Sequence, residues 1–322
     1  MSLFSRIVII GVGLIGGSLG LALKKRLLTN CVIGVDHNEE RLQTALRLGV
    51  VDKITTDFGE GINTGIDTAP ENAQPDTGAY NPSSLPAAEL IIVATPVSLI
   101  ADHVQQAASA VRTSFNYRNV LITDVGSTKE LICTRLERTT LPNDCRFIGS
   151  HPIAGKEKNG VEHADADIFE NKLAVITPTA SARDRDIGTL VRFWRSLGSL
   201  TASMSPADHD RTLARTSHLP HLLSALLADR LHLPDAKYTG TGYHSTTRLA
   251  SGLPELWRDI VSQNADAILE AIRDYEHALR DLREKIERSD WEAVAQFLEN
   301  AKKNRDALVV PQSGGHYTVQ YQ

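Results

Sequence analysis

The feature that most narrows the fold is a glycine-rich turn set directly behind an apolar run. Residues 6–10 (RIVII) form a short β-branched stretch that reads as a strand. Gly11-Val12-Gly13-Leu14-Ile15-Gly16, extended by Gly17, follows at once, and residues 14–27 then read as a helix. The G-x-G-x-x-G spacing is weak alone; a strand before it and a helix after it are the context that gives it meaning. Gly11 permits the tight turn, Gly13 lets a pyrophosphate approach the backbone, and Gly16 lets helix and strand pack closely. The helix N-terminus adds free N–H groups and a partial positive charge. Asp36 lies 20 positions beyond Gly16, at the end of a second strand over 31–36 (CVIGVD). A carboxylate there accepts hydrogen bonds from ribose hydroxyls and repels a 2′-phosphate, which predicts NAD in preference to NADP. His37 and Arg41 lie near enough to soften that preference. The expected cofactor-binding residues are Gly11, Gly13, Leu14, Ile15, Gly16, Asp36, Thr95 and Ser127. A purely structural turn and an FAD site are the alternatives.

The rhythm continues through the N-terminal half. Residues 39–48 return to helix, and 90–94 (LIIVA) and 120–124 (VLITD) are apolar in the manner of parallel strands buried on both faces. Residues 147–149 and 173–177 read as later strands. Alternating strands and helices predict an α/β class, a doubly wound, mostly parallel sheet with helices on both sides. Residues 57–88 break the pattern: they are rich in Gly, Pro, Asn, Asp and Thr and read as a loop insertion, with a lid over the site as the lesser reading.

Beyond about residue 200 the strands are expected to stop. Ser205-Pro206-Ala207-Asp208 has Ser at an N-cap, Pro at N1 and an acid at N3, and a helical pattern runs to about Leu231, interrupted by Pro220. Ile268, Ile272, Tyr275, Leu279, Leu282 and Ile286 alternate by four and three, a helix seam that should be buried within one subunit or between two. Trp291, Val294, Phe297 and Leu298 begin another helix. The division is therefore 1–200 for the dinucleotide-binding domain, 201–310 for an all-helical substrate and dimerisation domain, and 311–322 for a polar tail.

Composition removes several classes. With 34 Lys+Arg against 39 Asp+Glu, the net charge is −5, and no basic block invites nucleic acid or an anionic membrane. No apolar run reaches the ~18 residues of a membrane span. The N-terminal stretch, broken by Arg6 and opening into the Gly turn, is not a secretory signal. Cys31, Cys133 and Cys145 make no C-x-x-C pair, which predicts a reducing cytoplasm without disulfides.

Candidate chemistry sits in the middle of the chain. Asp124-Val125-Gly126-Ser127-Thr128-Lys129 ends a strand, on the side where open parallel sheets bind ligands. Ser127 is a candidate polar contact or only a helix N-cap. His151, in Gly149-Ser150-His151-Pro152-Ile153-Ala154-Gly155, is a candidate base, because imidazole titrates near working pH and takes a hydroxyl proton. His218 and His221, in Ser217-His218-Leu219-Pro220-His221, share a helical face; no carboxylate or Cys completes a metal set. Arg248, after Gly240-Thr241-Gly242, is placed to clamp a carboxylate bidentately or to form a surface ion pair. Trp257 lines a pocket or packs in the core.

Together these segments resemble the prephenate/arogenate (cyclohexadienyl) dehydrogenase family of tyrosine biosynthesis. The resemblance runs from Arg6 to about Val310 and is carried by GVGLIGGSLG (11–20), DVGSTK (124–129), GSHPIAGKEKNGVEHAD (149–165), SHLPH (217–221) and TTRLASGLPELWRDI (246–260). It implies a Rossmann-type N-terminal domain, a helical C-terminal domain that forms a homodimer, and an active site in the cleft between them. It implies oxidative decarboxylation of prephenate by NAD to 4-hydroxyphenylpyruvate, or of arogenate to tyrosine. His151 would act as the base, Ser127 would hold the hydroxyl or the imidazole, and Arg248 would pair with a substrate carboxylate. His221, His218 and Trp257 would be further contacts, and Glu157 the candidate partner for an arogenate ammonium. Two departures stand out: Tyr243-His244-Ser245 precedes Thr246 where the family often has an acid, and the 57–88 insertion is longer than usual. Two rivals remain. A small β-hydroxy-acid dehydrogenase of similar architecture usually relies on a Lys in its helical domain; an NAD-binding sensor would need the fold but not the His, Ser and Arg set.

Overall fold

Strand β1 (Phe4–Ile10) lies in the middle of a six-stranded sheet and is hydrogen-bonded on both edges. It runs parallel to β2 (Thr29–Val35) from Ile7 opposite Val32 to Ile10 opposite Val35, and to β4 (Leu90–Val93) from Ile7 opposite Leu90 to Ile10 opposite Val93. β3 (Lys53–Thr55) extends one side; β5 (Leu121–Asp124) and β6 (Arg146–Phe147) extend the other, giving the order β3-β2-β1-β4-β5-β6, parallel throughout. Successive side chains of a strand point to opposite faces. Ile7, Ile9, Val32, Leu90 and Ile92 accordingly enter one core, and Val8, Ile10, Ile33, Val35, Ile91 and Val93 enter the other. Two apolar faces explain why these strands read as unbroken hydrophobic runs, and the doubly wound α/β expectation is met. The computed structural model describes residues 3–63, 89–111, 120–142, 145–156, 158–308, 310–311 and 317–318.

The helices over these faces are α1 (Leu14–Lys25), α2 (Glu39–Arg47), α4 (Ile100–Ala110) and α5 (Glu130–Glu137), with a short α3 (Phe58–Asn63) after β3. α3 occupies the start of the segment expected to be loop over 57–88; residues 64–88, and the lid reading with them, lie outside the described residues.

A second sheet joins β7 (Gly149–Pro152) antiparallel to β8 (Leu173–Thr177), and β8 parallel to β9 (Leu200–Ser203). α6 (Asp184–Ser196) connects the last two and buries Leu190, Phe193 and Trp194. Strand β9 corrects the expectation that strands end at about 200. It is short and half-exposed, so it carries no apolar run to detect. His151 lies inside β7, in a strand that starts at Gly149, where the strand expected over 147–149 ends.

Ser205 caps α7 (Pro206–Leu213) by accepting from Asp208 N at 3.0 Å, as its sequence predicts. The chain passes without a break through one π-turn (Ala214–His218) into α8 (Leu219–Asp229), with Pro220 just after the π-turn, where the backbone hydrogen-bond register shifts. α9 (Thr241–Thr247), α10 (Pro254–Gln263), α11 (Ala265–Glu287) and α12 (Trp291–Leu308) follow. Residues Met1–Ile268 form one compact unit and Leu269–Gln322 a second. Along α11, Ile268 and Ala271 are buried, whereas Tyr275, Leu279 and Ile286 are exposed in the single chain. In the tail, Val310–Pro311 pairs antiparallel with Tyr317–Thr318.

Candidate active site

The Gly turn closes the carboxyl end of β1 as its sequence requires. Gly11 has φ +93°, and a Cβ there would meet Ala94 O at 2.6 Å; a Cβ on Gly16 would sit 1.9 Å from Gly11 O. Neither position accepts a side chain. A Cβ on Gly13, by contrast, would meet nothing within 4 Å, so that backbone faces open space. Gly13 is the N-cap of α1 and offers no side-chain cap, which leaves the first N–H groups of the helix free to bind an anion.

These groups border a cavity of about 440 Å³ lined by Gly11, Gly13, Leu14, Asp36, His37, Arg41, Thr95 and His103, among others. Of the expected cofactor residues, Ile15, Gly16 and Ser127 do not line this cavity; Gly16 packs beneath the turn. The Asp36 carboxylate is buried. It accepts from Val12 N at 3.1 Å and Asn38 N at 3.0 Å, and Arg41 Nη1 lies 3.1 Å from its Oδ2. Thr95 Oγ1 is 2.9 Å from His103 Nδ1.

A second cavity of about 390 Å³ adjoins the first, sharing Asn159, Leu253 and Leu256 as walls. Ser127, His151, His218, His221, Arg248 and Trp257 all line it. The structure thus brings together in one cavity all but one of the catalytic and substrate-site candidates; Glu157 lies outside the described residues. Among the described lining residues the charged side chains are Lys156 and Arg248, and none is a carboxylate.

His151 is delivered by β7, which is tied to the main sheet at this point. Ser150 N donates to Asp124 Oδ1 at 3.1 Å, and Ser150 Oγ donates to Asp124 O at 2.7 Å. Asp124 also makes a fully buried ion pair with Lys129 Nζ. Burial pushes the His151 imidazole well below the usual histidine range, with His209, Lys129 and His218 adding repulsion. Burial likewise lowers His218 to about 4, with Asp210 opposing and His221 reinforcing the shift. His221 stacks on Trp257 with ring centroids 3.7 Å apart, and its Nδ1 is 3.1 Å from Ser217 O. Among the described residues no group of three His, Cys, Asp or Glu is arranged to hold a metal, and no helix is long and apolar enough to cross a membrane.

The N-cap reading of Ser127 fails for a specific reason. The first N–H groups of α5 are capped from another helix: Asp210 Oδ1 accepts from Lys129 N and Oδ2 from Glu130 N, both at 2.8 Å. Asp210, with its neighbour His209, is the part of the site that sequence reasoning missed. The two stand in an ordinary polar helix start (PADHD), and only their burial sets them apart. Asn264, also buried, was missed for the same reason.

Comparison with known proteins gives a consistent result. The family model described as prephenate dehydrogenase, nucleotide-binding domain, matches residues 19–202, and that described as prephenate dehydrogenase, dimerization domain, matches 205–300. The chain is 31% identical to a prephenate dehydrogenase of Bacillus subtilis, over 96% of this chain and 77% of the relative. It is 28% identical to a cyclohexadienyl dehydrogenase of Zymomonas mobilis, over 96% and 97%. A crystal structure of the Aquifex aeolicus prephenate dehydrogenase with hydroxyphenyl propionate and NAD+ superposes with a TM-score of 0.79 at 28% identity, covering 95% of this chain and 97% of that one.

Proposed function

The chain belongs to the prephenate dehydrogenase family, and from that premise we propose how its cleft performs an NAD-dependent oxidative decarboxylation. The reaction converts prephenate to 4-hydroxyphenylpyruvate and CO2; arogenate would give tyrosine. The residues fit the cofactor: Gly13 leaves open space beside the uncapped N-terminus of α1, where a pyrophosphate would seat, and Asp36 stands at the end of β2 for the ribose. NAD bound there would supply the acceptor for the hydride of ring C4.

His151 takes the proton of the C4 hydroxyl as that hydride leaves. Its depressed basicity keeps it in the neutral, proton-accepting form at working pH. Ser127, which lines the same cavity, positions the hydroxyl or the imidazole. Arg248 pairs with a substrate carboxylate, and His218, His221 and Trp257 complete the contacts. Loss of CO2 then returns the bond electrons to the ring, which becomes aromatic, and the imidazolium of His151 can return its proton to the phenolic oxygen.

The observation that carries this reading is the shared cavity of His151, Ser127 and Arg248 beside the Gly-turn cavity. Prephenate is the favoured substrate. It carries two carboxylates and a keto group where arogenate has an ammonium, and the described lining holds no carboxylate to meet an ammonium; its charged groups are Arg248 and Lys156, the latter paired with Asp165 at 2.9 Å. We also assign the exposed seam of α11 to a homodimer contact and the three unbridged, buried cysteines to a reducing cytoplasm. NADH absorbance followed on purified protein, with prephenate and arogenate and with NAD and NADP, tests the assignment. Turnover fastest with prephenate and NAD is expected; no turnover with either substrate would sink it.

A further inference from the structure

His151, which lines the cavity, and the buried His209 and Asp210, which do not, form a chain of hydrogen bonds whose direction is fixed at one end. His151 Nδ1 is 2.9 Å from His209 Nε2, and His209 Nδ1 is 2.7 Å from Asp210 Oδ1. Asp210 already accepts two backbone N–H groups of α5 through its two oxygens, so it meets His209 as an acceptor. His209 must therefore carry its proton on Nδ1, which leaves Nε2 as a lone pair. Two lone pairs cannot share a hydrogen bond, so His151 Nδ1 carries the N–H, and its other nitrogen, Nε2, is bare.

The same rules settle His218 from the other side. Asn264 Nδ2 is 2.9 Å from the Asp210 carbonyl oxygen, which only accepts, so the amide is oriented with its nitrogen here. The second hydrogen of that nitrogen points to His218 Nδ1 at 3.0 Å, which must accept. His218 then carries its proton on Nε2, a buried atom with no hydrogen-bond partner in a side chain that lines the cavity.

We propose that Asp210, acting through His209, holds His151 as the Nδ1–H tautomer with a bare Nε2, while Asn264 holds His218 in the opposite tautomer, Nε2–H. One residue of α7 thus anchors both arms, Asp210 by its side chain toward His151 and by its carbonyl toward His218. His209, Asp210 and Asn264 are positioning residues. They set one pocket imidazole as proton acceptor and the other as donor before substrate arrives. The mechanistic value of this arrangement rests on His151 being the base; the tautomers themselves do not.

The decisive measurement is nitrogen NMR of the full-length protein with 15N-labelled histidine, near pH 7.5, with His151→Asn, His209→Gln and His218→Asn assigning the signals. His151 and His209 should report Nδ1–H, and His218 Nε2–H. Finding His151 with its proton on Nε2 would overturn the proposal. A kinetic arm adds rescue. His209→Leu removes the acceptor for His151 Nδ1–H and should lower kcat by ~10²-fold, the low end of the range for a positioned base. His209→Gln supplies a carbonyl acceptor and should recover most of that loss; equal losses in the two variants would also overturn it. If the tautomers are as stated but His151→Asn turns over normally, the base assignment falls while the tautomer assignment stands.

Discussion

His151 and Arg248, from strand β7 and from the turn after α9, line the same cavity. One is buried and the other exposed. A buried, neutral imidazole suits proton transfer, and an exposed guanidinium suits capture of an anionic substrate from water. The two can therefore be separated kinetically. His151→Asn should lower kcat by about 10² to 10⁴-fold, the usual contribution of a general base. It should leave the dissociation constant for NAD unchanged, since His151 does not line the Gly-turn cavity. Steady-state kinetics with a cofactor titration checks both, and wild-type kcat in a folded variant would remove His151 from the reaction.

Arg248→Gln should act on KM rather than kcat. A charge-assisted hydrogen bond is worth ~1.5–3 kcal/mol, so losing it should raise KM about 10- to 100-fold. A carboxylate away from the reacting carbon is held equally in ground and transition states, and such binding appears in KM with kcat little changed. Because the side chain is exposed, thermal stability should not move. An unchanged KM for prephenate would exclude the carboxylate clamp.

Much of this site was legible before any coordinates. The turn at Gly11 and Gly16 is dictated by backbone sterics, and sterics leave a local mark in sequence. The parallel strands were legible because both of their faces are buried. His151, Ser127, His218, His221 and Arg248 were legible because each stands in a segment resembling a family. His209, Asp210 and Asn264 were not. Their function depends on which way a buried donor or acceptor points after α7 packs on the start of α5, and no spacing rule records that. Strand β9 escaped because its half-exposed residues lack the apolar signature of its neighbours.

Cofactor choice should turn on Asp36 and Arg41 together. Asp36 Oδ2 holds both Val12 N and the Arg41 guanidinium, at 3.1 Å each. Asp36→Ser deletes the charge that repels a 2′-phosphate and releases Arg41, beside the same cavity, to pair with one. The ratio of kcat/KM for NADP over NAD should rise about tenfold or more, the equivalent of one hydrogen bond to a charged group. Indifference to the substitution would mean that the ribose is read elsewhere.

Acid sensitivity follows from the buried imidazoles. His209 is lowered to about 3, chiefly by burial, and His218 to about 4. In the unfolded chain both protonate near 6.5, so below that pH the unfolded state binds more protons than the native state. Stability therefore rises with pH in this window and is lost as pH falls from about 6.5 toward 4. Each group contributes about 1.4 kcal/mol per pH unit once its unfolded form is protonated. Asp124 and Asp210, raised by burial, oppose this closer to their own titration. A comparison that cancels most of their effect is wild type against His209→Gln: the fall in Tm between pH 7 and 5 should be smaller in the variant. Equal falls would show that His209 is not held neutral.

The exposed side of α11 gives the last test. Tyr275, Leu279 and Ile286 recur at helical spacing and are each about half exposed in the single chain. An exposed apolar seam of this kind marks an interaction surface, and a twofold dimer covers the same patch on both copies. Leu279→Asp should therefore count twice. Losing ~1.5 kcal/mol of side-chain burial per copy, the low end for a leucine, comes to about 3 kcal/mol, or about 10²-fold in the dimer dissociation constant. Sedimentation velocity over a range of micromolar concentrations should find the wild type dimeric and the variant dissociating. A wild type that sediments only as monomer would reject the dimer and leave the seam without an occupant.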